Sequence, residues 1–188
     1  MKKEIEVKIK LNKDEIGVLK NKLKDIGEHK IKPKEKETTY GFFTQDNSSI
    51  EKGIFPRIKS INNSEAAIFT VKVRKTEDNS YFQRDEHEMP IKDIETMRDI
   101  VKIFGFTKER VFEKIRETWL IDNNTVEVNF DSLPFGEYIE IEAEPEKIEK
   151  WIKVLELENK ERINKAYLAV FDDWRKKNNV KEEDAIFD

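Results

Sequence analysis

Carboxylates recur at alternate positions near both ends of the chain, as Glu4-Ile5-Glu6 followed by Lys8 and as Glu140-Ile141-Glu142. Basic residues hold the same spacing between them: Arg57 and Lys59, Lys72 and Arg74, Arg84 ahead of Glu86 and Glu88, and Lys114 and Arg116. Two glutamate pairs brought together repel one another, and a divalent cation relieves that. Oxygen ligands without thiolates, and with almost no imidazole, select Mg²⁺ or Mn²⁺ over zinc. The Lys and Arg set calls for anions of high charge density. Phosphate chains fit, because Arg binds them bidentately and Lys as a point charge.

Composition narrows the chemistry. There is no cysteine and only His29 and His87, so thiolate zinc sites, cysteine nucleophiles and a Ser-His-Asp triad are excluded or improbable. The 36 basic and 40 acidic side chains leave a net charge of −4, which argues against a general nucleic-acid binder. No apolar run is long enough to span a membrane and no signal-peptide core is present, so a cytoplasmic protein is expected. The 188 residues suit one domain with a sizeable core. Residues 1–178 read as that domain and 179–188 as a frayed acidic tail.

The elements that must carry these side chains follow from periodicity. Lys3 to Leu11 alternates strictly, with Ile5, Val7, Ile9 and Leu11 opposite Glu4, Glu6, Lys8 and Lys10, which predicts a strand. Asn12 and Glu15 form a capping-box signal for a helix with Ile16, Leu19, Leu23 and Ile26 on one face, ended by Gly27. Strands are expected at Thr38–Thr44, Ile54–Ser60, Ala66–Arg74 and Tyr81–Met89. They are separated by the turns Gln45–Gly53, Ile61–Glu65 and Lys75–Asn79, the first being the best candidate for a mobile loop. A helix from Ile91 to Phe104 precedes strands at Lys108–Ile121, from the Asp122-Asn123-Asn124 turn to Phe130, and at Glu137–Glu144. Pro145 opens a third helix with Ile148, Trp151, Ile152 and Leu155 inward. A last helix spans Ile163 to Lys177, with Ala166, Tyr167, Val170, Phe171 and Trp174 on its apolar face.

For any one strand, polar alternation describes the solvent face of an open antiparallel sheet. Its repetition in nearly every strand, with signs sorted by strand, points elsewhere. Short turns make the sheet largely antiparallel, and eight strands close into a barrel. The expected architecture is α+β: an eight-stranded antiparallel β-barrel with amphipathic helices packed outside and charged faces lining the interior. So charged an interior must be wet, since unpaired buried charges cost several kcal/mol each.

In order along the chain, Glu4-x-Glu6-x-Lys8, Arg57-x-Lys59, Thr70-Val71-Lys72, Arg84-x-Glu86-x-Glu88, Lys114-Ile115-Arg116 and Asp131-Ser132-Leu133-Pro134-Phe135-Gly136 leading to Glu140-Ile141-Glu142 resemble the CYTH superfamily, the triphosphate tunnel metalloenzymes. The resemblance covers about residues 3 to 170. It implies a triphosphate tunnel in which Glu4, Glu6, Glu140 and Glu142, with Asp131 a further candidate, ligate Mg²⁺ or Mn²⁺. Lys8, Arg57, Lys59, Lys72, Lys114 and Arg116 would grip the triphosphate, with Arg74, Arg84 and Lys165 as additional candidates. Arg84, Glu86 and Glu88 could equally form ion pairs that hold the wall. Lys59 stands where the family often has Arg, which keeps the charge and loses the fork. Phe55, two residues before Arg57, packs in the core or stacks on a base at the mouth.

The resemblance further implies a small-molecule triphosphate as partner and a monomer or homodimer; the charge balance and the lack of a long apolar run lead to no expected nucleic-acid or membrane partner. Phosphohydrolysis of tripolyphosphate, thiamine triphosphate or a nucleoside triphosphate is the first expectation, because a channel of phosphate-binding groups needs no base recognition. A lysine with a lowered pKa, Lys8 being one candidate, would assist proton transfer beside Glu4 and Glu6. The alternatives are a class IV adenylyl cyclase, which makes cyclic AMP and pyrophosphate, and a non-catalytic polyphosphate-binding module. The intact glutamate pairs favour an enzyme over the module.

Overall fold

The computed structural model describes residues 2–27, 29–64, 66–74 and 81–188. The expected turn at 75–79 lies outside them. The strands are β1 (Lys2–Leu11), β2 (His29–Ile31), β3 (Glu35–Phe43), β4 (Ile54–Ile61), β5 (Ala67–Arg74), β6 (Phe82–Ile91), β7 (Lys108–Ile121), β8 (Val126–Leu133), β9 (Gly136–Glu142) and β10 (Arg162–Ile163). The helices are α1 (Lys13–Ile26), α2 (Ser48–Glu51), α3 (Ile94–Ile103), α4 (Pro145–Val154) and α5 (Tyr167–Asn178).

Strand order β1-β6-β5-β4-β3-β7-β8-β9, with β9 returning to β1, makes the closed eight-stranded antiparallel barrel. β1 closes it because its two halves pair differently. Lys2–Glu6 pairs with β6 on one side, while Glu6–Leu11 pairs with β9 on the other. The short β2 and β10 add to β7 and β1 without entering the ring.

Alternation decides what faces out. Ile5, Val7 and Ile9 of β1 join Trp119, Val128, Ile139 and Ile141 in one core outside the barrel, covered by Leu19 and Leu23 of α1 and Ile148, Trp151 and Ile152 of α4. The Asn12 capping box is present, with Asn12 Oδ1 accepting from Glu15 N at 2.9 Å. α3 covers a second outer cluster with Phe42, Ile58 and Val101.

α5 behaves differently. Its Tyr167, Leu168 and Phe171 cluster with Phe112, Leu133 and Tyr138. Those three residues lie two positions along their strands from Lys114, Asp131 and Glu140, so they share the inward face. One part of the interior is therefore apolar and sealed by α5, and the charged part adjoins it.

Some expected bounds shift: Ile91 ends β6 and Ile163 belongs to β10, so α3 and α5 begin later than periodicity suggests, and two segments carry more structure than expected. The Gln45–Gly53 segment is an ordered turn around α2, with Thr44 and Ser49 exchanging bonds of 3.2 and 3.0 Å through their hydroxyls and backbone N–H groups. The C-terminal tail is docked rather than frayed. Ala185 bridges β7 through Ala185 N to Val111 O at 2.9 Å and Glu113 N to Ala185 O at 2.8 Å, and Arg110 Nε donates to Glu183 O at 2.9 Å. Backbone donors and acceptors, which tail composition does not disclose, make that attachment. Among the described residues no helix is long and apolar enough to cross a membrane.

Candidate active site

The inward faces of β1, β3, β4, β5, β6, β7 and β9 meet in a chamber of about 70 Å³, room for a few waters. Glu4, Glu6 and Glu140 line it beside Lys8, with Lys72 and Arg84 on one flank and Arg57, Lys59, Lys114 and Arg116 on the other. Register explains the neighbours. Glu140 lies directly across from Lys8, Glu4 from Arg84, Glu86 from Lys72, Glu37 from Lys114 and Asp131 from Arg116. Cross-strand pairs on one face are the closest contacts a sheet makes.

Each pair becomes an ion pair. Lys8 Nζ is 2.8 Å from Glu140 Oε1 and 3.3 Å from Glu6 Oε1, and it donates to Lys165 O at 3.3 Å. Lys72 Nζ bonds both oxygens of Glu4 at 2.8 Å and also pairs with Glu86. Arg84 Nη2 reaches Glu4 at 3.2 Å and Glu6 at 3.4 Å. Arg116 bonds Asp131, with Nε to Oδ1 at 2.6 Å, and pairs with Glu140.

Electrostatics sort these groups. Burial works against the Glu4 carboxylate, yet Lys72, Arg84 and Arg57 hold it well below the usual carboxylate range. Glu6 moves the other way: burial and the neighbouring Glu140 and Glu4 charges raise it. Burial also opposes charge on Lys8, but Glu140 and Glu6 outweigh it and raise the pKa. The expected lowering of Lys8 is therefore reversed, since Lys8 stands between two carboxylates. Lys72 is brought down to about 8 by burial and by Arg57 and Arg84, and burial also lowers Lys59.

The residues picked out by sequence separate into layers. Asp131 is fully buried behind Arg116, accepting from Tyr167 Oη at 2.8 Å. Glu142, half-buried, stands across from both Glu6 and Glu127 and does not line the chamber. Arg74 lies beyond Lys72 at the mouth, and Lys165 is exposed there, paired to Asp173 at 2.6 Å. Glu86 braces Lys72, and Glu88 accepts from Thr70 at 3.0 Å. Phe112 and Leu168 of the chamber wall escape sequence reasoning, and so do two residues that touch its lysines. Glu37 lies in the part of β3 ahead of the expected strand start at Thr38, and periodicity places Tyr167 only on the apolar face of a helix. The Tyr167 ring lies 4.4 Å from Lys8 Nζ and 5.5 Å from Lys114 Nζ.

As they stand, no three carboxylate or histidine groups among the described residues converge on one metal position. Lysines and arginines hold the carboxylates instead. The donor set nevertheless fits a hard divalent cation. Glu4, Glu6 and Glu140 face one cavity, and the raised Glu6 registers carboxylate crowding that a cation would relieve. The Nε–H groups of Arg57 and Arg84 are buried with no hydrogen-bond partner among the described residues.

A larger cavity of about 550 Å³ opens beside the chamber, sharing Phe55, Arg84, Ala166 and Leu168 with it. Phe43, Phe82 and Ile50 supply apolar walls and Arg74, Lys108 and Arg110 supply charge. Phe55 stands between the two spaces, 5.3 Å from Phe43 ring to ring. Gly41 makes room for it: a Cβ there would lie 2.8 Å from Cζ of Phe55.

The sequence matches the model of the CYTH domain over residues 2–176. This chain belongs to the CYTH family. Solved CYTH-like structures agree with the fold. The PH1819 protein of Pyrococcus horikoshii is 24% identical with a TM-score of 0.71, over 90% of this chain and 98% of that one. A Pyrococcus furiosus protein is 21% identical with a TM-score of 0.69, over 88% and 98%. An adenylyl cyclase candidate from Hippeastrum, described as having a dominant triphosphatase activity, is 17% identical with a TM-score of 0.63, over 90% and 95%. No curated protein matches this CYTH chain at a significant level.

Proposed function

We propose that this CYTH protein is a divalent-metal-dependent phosphohydrolase acting on an organic triphosphate. The observation that carries the reading is the convergence of seven basic side chains (Lys8, Arg57, Lys59, Lys72, Arg84, Lys114 and Arg116) on one cavity that also holds Glu4, Glu6 and Glu140. The two guanidinium N–H groups without a partner among the described residues support it, since phosphate oxygens satisfy such donors. Glu4, Glu6 and Glu140 would hold Mg²⁺ or Mn²⁺, with Glu142 and Asp131 as outlying carboxylates. Bound there, the ion would supply Lewis-acid polarisation of phosphoryl oxygens.

The remaining chemistry belongs to the chain. Lys72 and Arg84 on one flank and Arg57, Lys59, Lys114 and Arg116 on the other orient the phosphates and neutralise charge developing on the leaving oxygens. Lys8, held cationic by Glu140 and Glu6, acts as a fixed charge and hydrogen-bond donor. Tyr167, Leu168 and Phe112 exclude water from the apolar side.

The adjoining cavity argues for an organic group on the substrate. A bare tripolyphosphate leaves that space unused, whereas a ring lodged against Phe55 and Phe82 fills it. The same cavity supports a second reading as a class IV adenylyl cyclase; a structural neighbour from Vibrio parahaemolyticus, 16% identical, is described as an adenylate cyclase candidate. Incubation with ATP, thiamine triphosphate and tripolyphosphate plus Mg²⁺ or Mn²⁺, with products separated by chromatography, tests both. Orthophosphate with a diphosphate is expected; cyclic AMP with pyrophosphate refutes the hydrolase.

A further inference from the structure

Among the described residues, Glu37 is the only carboxylate lining the chamber that comes from neither β1 nor β9. It faces the basic flank from within the chamber, its side chain 6% exposed, with Oε2 3.3 Å from Lys114 Nζ and Oε1 4.0 Å from Lys59 Nζ, while Asp131 and Glu86 pair with Lys114, Arg116 and Arg57 from behind at 3.4 Å to Lys114 and 3.6 Å to Arg57. β7 supplies Lys114 directly across one side, and on the other Lys59 of β4 sits one diagonal step away, opposite Thr39. Burial disfavours its charge, but Lys114, Arg116, Lys59 and Arg57 bring it down to about 2. These four are phosphate-gripping residues in the reading above, on which this inference rests.

The other chamber carboxylates have a second occupation. Glu4, Glu6 and Glu140 would hold a divalent ion and so release Lys8 and Arg84, while Glu86 and Asp131 would still pair with Lys72 and Arg116. Nothing comparable draws Glu37 away from Lys59 and Lys114. An anion entering this flank has to displace it or share its cations.

We infer that Glu37 is a built-in counter-anion that occupies the basic flank of the empty chamber and sets a threshold for anion entry, so that a triphosphate displaces it and a small dianion does not. A polyanion carries charge enough to compete with Glu37 for Lys59 and Lys114 while reaching Arg57 beside them. Sulfate or orthophosphate, with about two charges, does not. Glu37 thus determines selectivity by charge and sits apart from the bond that breaks.

The test is metal-free binding by calorimetry of sulfate and of tripolyphosphate to the wild-type chain, Glu37→Gln and Glu37→Asp, each checked for a cooperative melt. Glu37→Gln is expected to bind sulfate about tenfold tighter, a shift of about 1.4 kcal/mol. Tripolyphosphate should gain less, so the ratio between the two ligands narrows. Glu37→Asp, with its charge kept and its reach shortened, should fall between. If Glu37 merely props the two lysines, Glu37→Gln loses affinity for both anions, which overturns the inference. Should Glu37→Gln not fold, Glu37→Asp decides, and weaker sulfate binding than wild type refutes it. Wild-type protein that prefers tripolyphosphate no more than sulfate would instead refute the triphosphate reading, while the Glu37→Gln gain in sulfate affinity would remain measurable.

Discussion

Lys8 Nζ lies 2.8 Å from Glu140 Oε1 across the β1–β9 pairing that closes the barrel. The bond that completes the ring thus also sets the first and last charged strands of the site against each other. Closure and site assembly are one event, because Lys8 and Glu140 face the interior only in the register that pairs Val7 with Ile141 on the outside.

Glu6 is the carboxylate that the fold tolerates least. Its neutral form is favoured by burial and by Glu140 and Glu4. Glu6→Gln should therefore melt at or a few degrees above the wild-type temperature, because it removes the repulsion from Glu140 and Glu4. The same variant should lose metal-dependent turnover by roughly a hundredfold or more. A scanning melt beside a phosphate-release assay checks both; a less stable, fully active variant contradicts the assignment.

Lys72 gives a pH signature. Its pKa is lowered to about 8, so it is cationic below that pH and neutral above. Metal-free tripolyphosphate affinity should hold near neutrality and weaken as pH rises through about 8. Lys72→Arg, which stays charged, should flatten that decline. An unchanged pH profile in Lys72→Arg would show that another group controls it.

Phe55 lines both the charged chamber and the larger cavity beside it. Phe55→Ala should raise KM for an organic triphosphate by about tenfold, in line with the ~1–3 kcal/mol of a ring stack. KM for tripolyphosphate should stay within about twofold. Equal effects on both substrates would place Phe55 in support of the phosphate site alone.

Removal of residues 183–188 strips β7 of the Ala185 bridge and Arg110 of its Glu183 acceptor. At about 0.5–1.5 kcal/mol per hydrogen bond, the loss amounts to a few kcal/mol. A Tm fall of several degrees is expected in calorimetry. A tail that only frays would leave Tm unchanged.

Strict alternation makes most of the barrel legible in the sequence. A two-residue period fixes which side chains share a face, so spacing alone groups Glu4, Glu6 and Lys8. Strand ends are less legible. Glu35 and Glu37 are as polar as the loop ahead of them, and only pairing to β7 shows that β3 begins there. Tyr167 is hidden for a related reason. Helical periodicity places it on the apolar face, and only the docking of α5 against inward-facing Phe112 and Tyr138 brings its hydroxyl to Asp131. The direction of the Lys8 shift depends on distances to Glu140 and Glu6, which spacing along one strand does not contain.

The most direct test of the central claim is turnover of ATP, thiamine triphosphate and tripolyphosphate by the purified chain, with and without Mg²⁺ or Mn²⁺, beside Glu6→Gln. The account predicts orthophosphate release that requires the metal, favours a substrate bearing an organic group, and disappears in Glu6→Gln. No metal-dependent turnover of any triphosphate, or equal turnover by Glu6→Gln, would contradict it.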